Sequence, residues 1–246
     1  MTGPADVPPG AVPSADVPGA RLLELVAIVD TLRRSCPWDR EQTHASLLRY
    51  LLEEAYEAAE TIETDDMPAL REEIGDVLFQ VLFHARIASE RSADDGGFTI
   101  DDVADTLAAK LIRRHPHVFG SVSAASAADV NANWEEIKQA ERAAKAAAGG
   151  GSESASALDG VPFGQPALSL AAQLQRRAQR MGFPVSLPSS DGGTAAEEIG
   201  DELFRVVARA SAAGIDPELE LRSAARRYAD LIRSWERSKP PMPAES

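Results

Sequence analysis

Five carboxylates in two short segments are the residues of this chain best placed to do chemistry. Glu53-Glu54-Ala55-Tyr56-Glu57 and Glu73-Ile74-Gly75-Asp76 lie on either side of Thr64-Asp65-Asp66. Residues three or four apart share a helix face. Glu54 therefore neighbours Glu57, Glu73 neighbours Asp76, and Glu53 reaches the same face through Glu57. If the two segments are antiparallel helices folded about Asp65, residue 57 lies level with 73 and residue 54 with 76. Four carboxylates then form a rectangle across one helix–helix seam, which the strong apolar stripes of both helices should partly bury. Between Glu53 and Asp76 there are ten acids and one base, Arg71. Like charges gathered away from water need protons or a counter-charge. An all-oxygen set suits a hard divalent cation, Mg²⁺ above all, and points to a phosphate substrate. Taken singly each Glu reads as a solvated surface residue. The doubled spacing and the mirror about residue 65 favour the metal site.

A di-iron bundle would need Glu-x-x-His twice. The chain offers Glu41-Gln42-Thr43-His44 once, outside the cluster. The bases available to hold a phosphate are Lys110, Arg113 and Arg114, at the end of a predicted helix, and Lys138 on the next.

The elements that must position these groups read as helices. Leu22, Leu25, Val26, Val29 and Leu32 recur at helical spacing. A second helix is expected from about Glu41 to Ile62, with Leu47, Leu48, Leu51, Leu52, Ala55 and Ala59 facing inward. A third follows Pro68 to about Ser89, carrying Leu70, Ile74, Val77, Leu78, Val81 and Leu82. Thr99 or Asp101 caps a fourth that ends at Arg114, before Pro116. Further helices are expected at 127–147, 166–181, 195–212 and 216–237. Strand signals are nearly absent, so the fold class is an all-α bundle.

The chain has 246 residues, with 25 Lys+Arg against 39 Asp+Glu and a net charge of −14. Such an acidic protein repels nucleic-acid backbones, which argues against a polymer partner. The one cysteine, Cys36, excludes an internal disulfide and a Cys-rich zinc site. No apolar run is long enough to span a bilayer, and no basic residue precedes Arg21. A cytoplasmic protein with no membrane partner is expected. Residues 1–20 and 239–246 read as a disordered arm and tail, and 148–157, around Gly149-Gly150-Gly151, as a flexible linker.

Residues 72–85, EEIGDVLFQVLFHA, return at 197–210 as EEIGDELFRVVARA, with nine of fourteen positions identical. Amphipathicity alone does not dictate a shared Glu-Glu-Ile-Gly-Asp, so the segment 158–238 reads as a diverged copy of the domain at 21–147. Trp134-x-x-x-Lys138 and Trp235-x-x-x-Lys239 echo this more weakly. The positions that correspond to Glu53, Glu54 and Glu57 are Ala178, Gln179 and Gly182. The second copy therefore keeps Glu198 and Asp201 without acidic partners, and is not expected to bind metal alone.

Cys36-Pro37-Trp38-Asp39 with Gln42-Thr43, Glu53-Glu54-x-x-Glu57, Glu73-x-x-Asp76 and Arg113-Arg114-His115-Pro116-His117-Val118-Phe119 closely resemble MazG proteins. The likeness is strong over about 20–145 and weak over 158–237. It implies an all-α NTP pyrophosphatase bundle, and the tandem copy at 158–238 departs from the family in being degenerate. It also implies hydrolysis of nucleoside triphosphates to monophosphate and pyrophosphate with Mg²⁺ or Mn²⁺, in a homodimer. Implied with it are Glu54, Glu57, Glu73 and Asp76 as metal ligands, and Glu53 beside them positioning or deprotonating water. Lys110 and Arg114 would contact phosphate, and Trp134 and Lys138 the nucleotide. Attack at the α-phosphorus follows from the implied monophosphate product.

The remaining candidates have plainer readings. Trp38 is expected to plug a bundle end, His115 and His117 to pack or cap past a helix end, and His44 and His84 to be ordinary surface or core residues. Cys36 is given no nucleophilic role. Against the broad hydrolase, with nucleotide-pool house-cleaning as its expected role, stand two alternatives. One is a narrower enzyme for a dNTP or phosphoribosyl-ATP. The other is a non-catalytic helical scaffold with a structural metal site.

Overall fold

The computed structural model describes residues 19–120, 126, 130, 133–134, 137, 140–141, 156, 158–184 and 193–238. Every regular element among them is helical. Contacts divide the chain into two units, Met1–Ile137 and Lys138–Ser246. The expected helix at 127–147 lies mostly outside the described residues, as do the arm (apart from Gly19 and Ala20), the linker and the tail. No helix among the described residues is long and apolar enough to cross a membrane.

The first unit contains α1 (Ala20–Ser35), α2 (Pro37–Glu41), α3 (His44–Glu63), α4 (Met67–Ala88), α5 (Ile100–Arg114) and α6 (Pro116–Phe119). The long helix expected from Glu41 starts later. Gln42 is extended, and Thr43 caps α3 by accepting from Ser46 N, while the Ser46 hydroxyl accepts from Thr43 N. That capping box stops α3 from running back into the separate turn Pro37–Glu41.

The hairpin between α3 and α4 turns where the acids require it. Asp65 has φ of 56°, the left-handed region that Asp tolerates better than most non-glycine residues. Asp66 N donates to Thr61 O at 3.0 Å and Asp65 N to Ile62 O at 3.3 Å, a Schellman closure of α3. The Asp66 carboxylate then caps α4 by accepting from Ala69 N. Two helices end and begin within three residues, so α3 and α4 pack antiparallel along their length.

Val29, Leu47, Leu82, Phe83 and Ile87 form the buried core, with Leu25, Val26, Tyr50, Leu78, Phe79 and Ile100 packed against it. Arg33 ties α1 to both ends of this core. Its Nη1 donates to the carbonyls of Asp39 and Gln42, and its Nε and Nη2 donate to Glu90 at 2.7 and 2.8 Å. These bonds hold the Glu90 carboxyl below the usual carboxylate range. The apolar stripes are only half covered. Leu48, Leu52 and Ile74, expected inward, are 54%, 51% and 53% exposed, and Leu22, Leu32 and Val81 are exposed too. α1 and α5 both pack against α4, and the face carrying Leu48, Leu52 and Ile74 stays open among the described residues.

The second unit contains α7 (Ala167–Arg180), α8 (Ala195–Ala212) and α9 (Pro217–Ser238). Buried Gln175 donates to Phe204 O at 2.8 Å, joining α7 to α8, and Ala172 and Val207 are buried.

Candidate metal centre

The antiparallel hairpin delivers the acids to one patch. Glu54 and Glu57 come from the middle of α3 and Glu73 from the second turn of α4. Each offers a carboxylate oxygen, and the three lie within 4.8 Å of one another. Glu54 and Glu73 are half-buried, and Glu57 is exposed. It is the one such cluster among the described residues. Asp76 and Glu53 are exposed and outside this triad, but both act on Glu54 as like charges.

Electrostatics mark the patch as short of positive charge. Glu54 is pushed above the usual glutamate value, first by desolvation and then by Asp76, Glu57, Glu73 and Glu53. Glu73 is raised by desolvation, by the charges of Glu57 and Asp76, by a hydrogen bond with Glu57, and by Glu72. Without a cation the native chain takes up a proton at Glu73 more readily than the unfolded chain does. The penalty for ionising it therefore grows as pH rises through and above 4.5, its ordinary value. In metal-free buffer the Tm advantage of Glu73→Gln over the wild type should be absent at pH 4 and grow towards pH 7.5. A gap that stays flat or shrinks with rising pH would contradict the electrostatic reading.

A family model described as the MazG nucleotide pyrophosphohydrolase domain matches residues 42–119, the segment that holds all five acids. The nucleoside triphosphate pyrophosphohydrolase/pyrophosphatase MazG of Thermotoga maritima is 39% identical over 87% of this chain and 84% of its own length. The chain belongs to the MazG family. An uncharacterized 26.1 kDa protein from the blaB 3′ region of Streptomyces cacaoi is 46% identical over 96% of this chain and 91% of its own. The nucleoside triphosphate pyrophosphohydrolase of Mycobacterium tuberculosis is 44% identical over 89% of this chain, which spans 59% of that longer protein.

The other residues singled out in this MazG chain are placed unevenly. Lys110 and Arg114 are half-buried in the last turns of α5. The Arg114 guanidinium lies 5.7 Å from the centre of the Trp134 ring, and the His115 ring lies 6.1 Å from it. Arg114 and Trp134 are thus brought together. Lys138 lies outside the described residues. His115 caps α5 by a 2.7 Å hydrogen bond between its Nδ1 and Leu111 O. Trp38 is 48% exposed and meets Tyr50 edge-on at 5.9 Å, so it shields that residue rather than plugging an interior. On α8, Glu198 is exposed and Asp201 faces Arg205 at 3.9 Å.

The reading of His44 and His84 as ordinary residues needs correction. Their Nδ1 atoms are 2.8 Å apart, joining the start of α3 to the later part of α4. The arithmetic that aligned the acids does not single this pair out. Folding about Asp65 sets residue 44 level with 86, half a turn from His84.

Proposed function

We propose that this chain hydrolyses nucleoside triphosphates to nucleoside monophosphate and pyrophosphate at the acidic seam of α3 and α4. The observation that carries this reading is the convergence of Glu54, Glu57 and Glu73 within 4.8 Å. Glu54 and Glu73 are raised, first by desolvation and then by their like-charged neighbours. Such a set fits a hard divalent cation. Glu54, Glu57, Glu73 and Asp76 would hold Mg²⁺, with Mn²⁺ as a substitute. When bound, the metal supplies positive charge for the triphosphate and lowers the pKa of coordinated water.

The chain's own groups do the rest. Glu53, next to Glu54 and exposed, positions or deprotonates the attacking water. The water oxygen bonds to the α-phosphorus, the bond to the α–β bridging oxygen breaks, and pyrophosphate leaves. Lys110 and Arg114 hold phosphate oxygens and offset the charge that develops on them. Trp134, beside Arg114, contacts the nucleotide together with Lys138. The second unit is read as a degenerate copy that keeps Glu198 and Asp201 and adds no metal site of its own.

We further propose a homodimer. The exposed Leu48, Leu52, Ile74 and Val81 lie on the two helices that carry the acids. A second copy covering them would remove water from the seam. Nucleotide-pool house-cleaning in the cytoplasm is the role this chemistry suits.

Incubating the protein with each NTP and dNTP, with Mg²⁺, with Mn²⁺ and with neither, and identifying the products tests the reading. Monophosphate plus pyrophosphate, lost on adding EDTA, is expected. A preference for one dNTP would select the narrower enzyme. No turnover with either metal would overturn the proposal in favour of the scaffold.

A further inference from the structure

The two histidine rings are nearly coplanar, at 3°, with centroids 5.1 Å apart. That distance is the 2.8 Å between the Nδ1 atoms plus one ring radius on each side. The rings therefore meet head to head in one plane, not face to face, and each Nδ1 points along the line of centres at the other. A metal ion does not fit between nitrogens that close. One proton does, as a linear N–H···N bond.

Counting protons assigns the tautomers. A neutral pair carries one proton between the Nδ1 atoms and one on either Nε2. The His84 Nε2 is buried with no hydrogen-bond partner. A buried N–H without an acceptor is rarer and costlier than a bare acceptor. His84 is then the Nδ1–H donor with a bare Nε2, and His44 accepts at Nδ1 and carries its proton on Nε2. Adding one more proton must either put N–H on the buried His84 Nε2 or place two N–H groups face to face.

No neighbouring charge relieves this. His44 is the one titratable group whose charge bears on His84. On α4, Arg86 and Glu90 are bonded to Asp30 and Arg33 of α1. From α5, Asp102 is held by Thr99, and on α3 Arg49 lies against Tyr50.

We propose that His44 and His84 share one proton as a neutral latch that fixes the register of α3 against α4, holds Glu54, Glu57 and Glu73 together, and opens when protonated. His44 and His84 are positioning residues about three turns or more along the seam from Glu54, Glu57 and Glu73. The link to the acids rests on the metal reading above, but the tautomers do not. Burial and His44 both hold His84 below the ordinary histidine value. The latch's contribution is thus complete above about pH 6.5 and lost as pH falls below it.

Three measurements test it, the first being long-range ¹H–¹⁵N spectra of metal-free protein at pH 7.5. These should show His84 protonated at Nδ1 and bare at Nε2, and His44 the reverse. Two Nε2–H tautomers, or a charged ring, would overturn the assignment. Second, between pH 7.5 and 5 the wild type should lose more Tm than H44Q/H84Q, which keeps a hydrogen bond with no titrating group. Parallel curves would refute opening by protonation. If the double variant fails to fold, H84Q, whose amide can donate to His44 Nδ1 or accept from it, replaces it. Third, Mn²⁺ affinity of the wild type should fall several-fold relative to that variant from pH 7.5 to 5.5. A constant ratio would sever the latch from the acids. A wild type that binds no Mn²⁺ at any pH would refute the metal reading, leaving the latch to stand on the first two results.

Discussion

Glu57→Gln is expected to lower triphosphate turnover by about 10²- to 10³-fold, the loss typical of removing one group that stabilises developing charge. The change is nearly isosteric. It removes one unit of negative charge and replaces one carboxylate oxygen with an NH₂ that cannot ligate a cation. Glu57 is exposed and on no core face, so the fold has little to lose. In metal-free protein the sign reverses. Glu57 is one of the like charges that raise both Glu54 and Glu73, so neutralising it should raise Tm slightly. The assay is therefore a pair: steady-state turnover against Mg²⁺ concentration, and a melt in EDTA. Lost activity with an unchanged or higher Tm assigns Glu57 to the metal. Near-wild-type activity would place the chemistry elsewhere, and lost activity with a lower Tm would give Glu57 a structural role.

The acids were legible because two independent regularities coincide in them. Helical spacing fixes which carboxylates share a face, and the Asp65 turn fixes which face meets which. Both depend only on backbone geometry, which sequence patterns report well. The starts of α4 and α5 were legible for a related reason, since Pro68 marks a first turn and Thr99 was one of the two expected caps. The inward set was read less well. An apolar stripe says that a face seeks cover, not that the same chain supplies it, so Leu48 and Leu52 read as core although they are exposed. The histidine pair was missed because 40 residues separate its members. Neither has a sequence neighbour that hints at a partner. Base-to-phosphate placement has no local signature at all, which is why Lys110 and Arg114 rest on family likeness.

Phe83→Ala should cost the first unit about 3–5 kcal/mol, the range for deleting a buried aromatic ring. That is a large share of the roughly 5–15 kcal/mol available to a typical domain. Phe83 is 1% exposed, and its ring lies 5.4 Å from that of Phe79. It sits on α4 within the cluster of Val29, Leu47, Leu82 and Ile87 that holds α1 against the hairpin. These helical positions have few ways to collapse into the void, which puts the cost towards the upper end. Leu48→Ala gives the contrast. In a lone chain, where Leu48 is 54% exposed, the loss should stay within about 0.5 kcal/mol. If a second copy covers that face, the loss should reach about 2 kcal/mol or more and shrink the dimer population at low protein concentration. Chemical denaturation of both variants at two protein concentrations separates these cases. A large loss for Phe83→Ala that ignores concentration, beside one for Leu48→Ala that depends on it, would mark the first as intrachain core and the second as the face between subunits. A small loss for Phe83→Ala would mean that the core does not hold this hairpin, and that the alignment of Glu54 and Glu57 with Glu73 must be maintained by something else.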